Sequence, residues 1–197
     1  MTRRILSLQL AAVALCMTAV PLAFAAPNDD GPYLDVYVSD NSFHAGTDAD
    51  PRAIGLPVYP GAHIKVDDKQ DKNSANLALF TSAFGIKLLV VNYTSDDSAE
   101  KIISFYRDKL KKYGKVIECH NNDSDADPHI DAHANTRDDS GKSKELTCDG
   151  ENKGDNIELK AGTEDNQHAV AIKPNKSGNG ASFALVYVHV RGKQADI

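Results

Sequence analysis

The chain has 197 residues, with 22 basic against 28 acidic side chains, three cysteines and no tryptophan. Residues 1–25 hold 18 of the apolar residues and two of the bases, so the remaining 172 residues carry a net charge of -8. No apolar run after residue 25 approaches the roughly 18 residues that cross a bilayer as a helix. No basic stripe is present to neutralise phosphates, which argues against a nucleic-acid partner.

Arg3 and Arg4 precede an apolar stretch from Ile5 to Leu22, and Ala23 and Ala25 place small residues where a signal peptidase reads them. The pattern predicts a cleavable signal peptide over residues 1–25 and delivery to the periplasm or the cell exterior. Paired arginines brush against the twin-arginine pattern, but general export fits the short charged segment better. Cys16 follows bulky Leu15, where a lipoprotein signal needs a small residue, so it is expected to leave with the leader.

Residues 26–54 are rich in Asp, Asn, Gly and Pro, with one alternating island from Leu34 to Val38. They read as a flexible N-terminal arm with one edge strand. At Gly55-Leu56-Pro57-Val58-Tyr59-Pro60-Gly61-Ala62 two prolines and a Pro-Gly turn enforce an extended path and a bend, and a single domain over residues 55–193 is expected to begin there. Strands are expected at Ala62–Val66, Leu77–Thr81 and Ile86–Thr94, with Phe84-Gly85 as a turn; the third strand is apolar on both faces and so central.

The period then changes from two to 3.6. Asp97-Ser98-Ala99-Glu100 forms a capping box, and Ile102, Ile103, Tyr106, Leu110 and Tyr113 fall on one helical face before Gly114 ends the helix. Lys115–Cys119 returns as a strand. The 28 residues from His120 to Thr147 contain seven acids, three bases and five apolar residues, and read as a long acidic loop. Strands resume at Glu145–Cys148, Asn156–Ala161, Gln167–Lys173 and Ser182–Arg191 as an antiparallel meander. The order predicts an α+β fold: one mostly antiparallel, curved sheet with a single amphipathic helix packed across one face.

Cys119 and Cys148 remain after the leader is removed, and an even count in an oxidising compartment predicts a disulfide that closes the acidic loop at its base. Cys119-His120 is a tempting catalytic pair, but adjacent residues of a strand point to opposite faces.

Val58-Tyr59-Pro60-Gly61-Ala62, followed by Thr94-Ser95-Asp96 and by Phe105-Tyr106 with Leu110, resembles a loose group of uncharacterised exported bacterial proteins. That group shares a "YPGA" turn, a "T-x-D" cap and an "F-Y-x-x-x-L" helix. The resemblance covers residues 55–120 and implies fold and export, with no assigned activity.

Ligand-type residues crowd together in the acidic loop. His129-Ile130-Asp131-Ala132-His133, with His120, offers a divalent-metal site of imidazole and carboxylate donors should the segment turn helical. Asp123-Ser124-Asp125-Ala126-Asp127 opens like a calcium loop, but Pro128 stands where an EF-hand needs glycine and Ala134 where it needs glutamate. With both methionines, Met1 and Met17, inside the leader, a thioether copper site is excluded.

Catalytic templates fail in turn. Gly180-Ala181-Ser182-Phe183-Ala184 lacks the last glycine of G-x-S-x-G and leads into a strand. Gly178-Asn179-Gly180 lacks the third glycine and the helix of a phosphate loop. His168 and His189 alternate with apolar residues and read as packed or rim histidines. No catalytic residue is nominated. The leading expectation is a non-enzymatic exported module that binds a protein or an envelope component through its sheet face or acidic loop. The alternative is a divalent-metal binder built on His120, His129, Asp131 and His133.

Overall fold

The computed structural model describes residues 33–38, 41–47, 49–65, 74–122, 142–148, 151–176 and 179–192. Strands β1 (Tyr33–Val38) and β2 (Asn41–Gly46) lead into a short helix α1 (Pro51–Ile54), then β3 (His63–Ile64), β4 (Ser74–Phe80) and β5 (Phe84–Ser95). Helix α2 (Ala99–Leu110) ends in a 3-10 turn at Lys111–Tyr113, and β6 (Ile117–Asn121), β7 (Asn156–Thr163), β8 (Asn166–Pro174) and β9 (Ala181–Gly192) follow. All join one antiparallel sheet of order β1-β2-β4-β5-β9-β8-β7-β6, with β3 pairing the far end of β5 beyond β4.

Period-two alternation gives the sheet two unlike faces. On the first face lie Leu89, Val91 and Tyr93 of β5, Val170 and Ile172 of β8, Leu159 and Ala161 of β7, and Phe183 and Leu185 of β9. Both described helices pack there. Helix α2 contributes Ala99, Ile102, Tyr106 and Leu110, all buried, as its 3.6-residue period predicts; α1 contributes the fully buried Ile54. Ile103 and Tyr113 flank that stripe half-buried. Gly114, at φ 130°, closes the helix by donating its amide to the Lys111 carbonyl.

Several expectations are corrected. Residues 26–54 are not a loose arm where the structure describes them: β1 is the expected edge strand, but β2 joins it to β4, and Ala49 and Ile54 enter the core. Polar Asn41-Ser42-Phe43-His44 carries little strand propensity, and pairing on both sides overrides it. No break in the fold occurs at residue 55.

Phe84-Gly85 is not a turn, because the reversal falls one step earlier. The Thr81 side chain accepts from the Phe84 amide, and the Thr81 amide donates to the Phe84 carbonyl, which releases Phe84 into β5. Only an isolated bridge from Glu145 to Thr163 represents the strand expected at Glu145–Cys148. Residues 123–141, most of the expected acidic loop, lie outside the described residues.

Candidate functional site

Of the four expected metal ligands, His129, Asp131 and His133 lie outside the described residues. His120 is described, and its ring is engaged: Nδ1 lies 3.2 Å from the Gly154 carbonyl and Nε2 lies 3.3 Å from Glu118 Oε1. Among the described residues no group of three or more His, Cys, Asp or Glu side chains is arranged to hold a metal ion. Cys119 and Cys148 are joined in a disulfide across 29 residues, as their even count predicts. Cys119 pairs across the ladder with Glu158 and His120 with Ile157, so the two neighbours point to opposite faces of β6.

The motifs behind the resemblance meet in space. Tyr59 of the Tyr-Pro-Gly-Ala turn is buried and donates its hydroxyl to Asp97 Oδ2 at 2.9 Å, while Lys101 Nζ holds Oδ1 at 2.6 Å. Lys101, then Tyr59, keeps the Asp97 carboxyl below the usual carboxylate range; burial, then Asp97, pushes the Tyr59 hydroxyl up. Asp97 therefore does not cap the helix backbone as the capping box predicts. Ser98 is the N-cap, in an extended conformation, and its side chain makes no capping hydrogen bond to the helix backbone. Around Tyr59 the rings of Phe105, Tyr106 and Phe183 pack at centroid distances of 5.1–6.4 Å, with Tyr93 stacked on Phe183. Tyr106 donates to the Pro57 carbonyl at 3.1 Å and Tyr113 to the Gly55 carbonyl at 2.7 Å.

Beyond this cluster a second line of rings crosses the first face. His168 stacks on Tyr113 with centroids 3.5 Å apart and tilts against Tyr187 at 4.8 Å, and Tyr187 lies parallel to His189. His168 Nδ1 lies 2.8 Å from the Ile54 carbonyl, so that nitrogen carries a proton and donates. Burial lowers the His168 pKa below the ordinary histidine value. His189 Nδ1 is buried and finds no hydrogen-bond partner among the described residues. The Tyr59, Tyr106 and Tyr113 hydroxyls give their protons to Asp97 or to backbone carbonyls rather than to a histidine, unlike a nucleophile poised against its base.

Apolar chemistry dominates the second face. The registers assemble one row, Val36–Phe43–Leu79–Ile86–Val190, across β1, β2, β4, β5 and β9. Beside it runs a second, Leu34–Ala45–Leu77–Leu88–Val188. All five cross-strand positions of each row are thus apolar, and both described helices lie on the other side of the sheet.

Toward β8 the face closes into the buried cluster of Val90, Ala169, Ala184, Val186 and Val188. It ends at a buried ion pair, Lys160 Nζ to Glu158 Oε2 at 3.1 Å. Toward β1 it opens: Phe43, Leu77, Leu79 and Leu88 are half-buried, and Leu34 and Val36 are 51% and 36% exposed. The first-face positions of the same strands include Asp35, Ser42, His44 and Asn76, so the apolar side is selective.

The sequence offered a sheet face as a binding surface without locating its residues, because each strand supplies only two residues to it. The alternation Leu34-Asp35-Val36 and Leu77-Ala78-Leu79 was the available signal. Comparison of the chain with protein-family models, with curated proteins and with solved structures finds no match, so the registers and side chains themselves carry the assignment of a site.

Proposed function

We propose that this protein is an exported binding module whose working surface is the open, β1-side half of the second face, and that it performs no chemistry of its own. One observation carries the reading: two uninterrupted apolar rows cross five strands with no described helix over them. An apolar patch of that continuity marks an interaction surface. The polar groups of the first face support it, since Asp97, Tyr59, Tyr106, Tyr113 and His168 are all committed to holding α1 and α2 on the sheet.

Export rests on the leader pattern of residues 1–25, on the resemblance to exported bacterial proteins, and on the disulfide, a bond that persists in oxidising compartments. The test has two parts. Intact-mass measurement of the protein from the exported fraction should give a chain beginning at Ala26 with one disulfide; a full-length, reduced chain retained in the cytosol defeats the export reading. An environment-sensitive apolar dye, anilinonaphthalene sulfonate, should bind the processed protein when dilute. Binding should fall in the Leu34→Lys, Val36→Lys double variant and persist in Ser104→Asp, which changes an exposed position of α2. Equal dye binding by all three proteins defeats the surface assignment.

A further inference from the structure

We propose that Lys87, His189 and Arg191, at the Phe84–Gly192 end of the first face, form a binding site for the carboxylate or phosphate group of a small molecule. The site lies on the opposite side of the sheet from the two apolar rows and stands independently of them.

Register assembles it. Lys87 of β5 lies directly opposite His189 of β9, and the same cross-strand row continues through Ala78 and His44 on one side and Asn166 on the other. Side chains so opposed hold their Cβ atoms about 5 Å apart. Arg191 follows His189 on the same face of β9, opposite Gly85. Gly85 lacks the Cβ that would meet the Phe80 ring 2.6 Å away, and the Arg191 guanidinium lies over that ring, 5.5 Å from its centroid. The neighbouring row toward the helices is Leu89, Tyr187 and His168, where Tyr113 stacks on His168. Lys87 and His189 stand one row further out.

Three observations point to an anion. Lys87 is half-buried in the middle of a strand paired on both sides, yet it makes no hydrogen bond or ion pair with a described residue, and lysine seldom leaves the exposed surface unless it is paired. His189 Nδ1 is buried without a partner among the described residues, the condition of a polar atom that awaits a ligand or a water. Arg191 is exposed and has no carboxylate partner among the described residues. With a proton on Nδ1 the three side chains offer donors alone, as an oxoanion requires.

The surrounding carboxylates set the size of the ligand. Asp35, at the far end of the row, is held by His44 at 2.6 Å, and Asp165, on the turn from β7 to β8, accepts from Ser143 and Thr163. Glu164 of the same turn keeps a buried Oε2 without a partner among the described residues. Two fixed cations against one such carboxylate suit a single oxoanion, and a net charge of -8 after residue 25 repels a polyanion.

Two-dimensional NMR of the exported, disulfide-intact, 15N-labelled protein tests the proposal, with inorganic phosphate and acetate titrated separately at an ionic strength fixed by chloride. One or both anions should give saturable shifts centred on the amides of Lys87, His189 and Arg191, with a millimolar or tighter Kd, and the tighter anion names the preferred chemistry. Lys87→Gln and Arg191→Gln should each weaken binding on the order of tenfold. Lys115→Gln, at an exposed position after α2, should leave it unchanged. Arg191 is exposed, so its variant keeps the test decisive even where Lys87→Gln fails to fold. Shifts that stay unsaturated for both anions, or that centre elsewhere, overturn the site, as does an Arg191→Gln protein that binds like the wild type.

Discussion

His168 sits between the Tyr113 and Tyr187 rings with Nδ1 on the Ile54 carbonyl, and burial holds its pKa below the ordinary histidine value of about 6.5. In the unfolded chain the imidazole takes a proton near that ordinary value, while the folded chain resists it. The associated stability is therefore fully present above about pH 6.5 and is lost progressively as the pH falls below it. Thermal unfolding measured between neutral and mildly acidic pH should show a steeper loss for the wild type than for His168→Phe, which keeps the stacking and has no titrating group. Equal slopes would mean that His168 titrates alike in both states. Only the alternation with Val170 and Ile172 was visible in the sequence. The carbonyl that fixes the tautomer comes from Ile54, on an element remote in the chain, so no local pattern contained it.

At the scale of elements, Tyr59, Asp97 and Lys101 join two segments whose linked residues, Tyr59 and Asp97, stand 38 positions apart in the chain. The Tyr-Pro-Gly-Ala turn and the start of α2 are tied by one shared carboxylate, and the Pro57 carbonyl receives Tyr106 from the same helix. Gly55 completes the joint: it adopts φ 78°, and a Cβ there would sit 2.4 Å from the Tyr113 hydroxyl. Tyr59→Phe should cost about 1 kcal/mol, the net worth of one hydrogen bond whose acceptor stays solvated. Urea unfolding of the two proteins measures it, and an unchanged midpoint would show that Asp97 holds the helix through Lys101 alone.

The helix itself was legible, from its apolar stripe to Gly114, because helical period and C-capping are local. Its N-terminus was legible only in part, since the capping-box spacing assigned Asp97 to the backbone while tertiary contact assigns it to Tyr59. The turn at Thr81–Phe84 was missed for a similar reason: glycine drew attention to Phe84-Gly85, but the threonine hydroxyl fixes the reversal.

For the whole molecule, the disulfide joins β6 to the segment that returns at Lys142–Cys148, and it closes a chain of 29 residues. On the chain-entropy view a loop of that length stabilises the fold by about 3–4 kcal/mol. Cys119→Ala with Cys148→Ala should lower the unfolding free energy by about that amount in urea. A double variant as stable as the wild type would place the loop's constraint elsewhere. Along the chain, the sequence by itself determined the strand periods, the helix from Ala99 to Leu110, the cysteine pair and the antiparallel run of β7, β8 and β9, because each depends on neighbours a few residues apart or on simple parity. Only the tertiary structure decided that Leu34, Ala45, Leu77, Leu88 and Val188 form one row and that polar Asn41–Gly46 is a strand. Cross-strand register joins residues far apart in the chain, and a slip of one residue would turn each side chain to the opposite face.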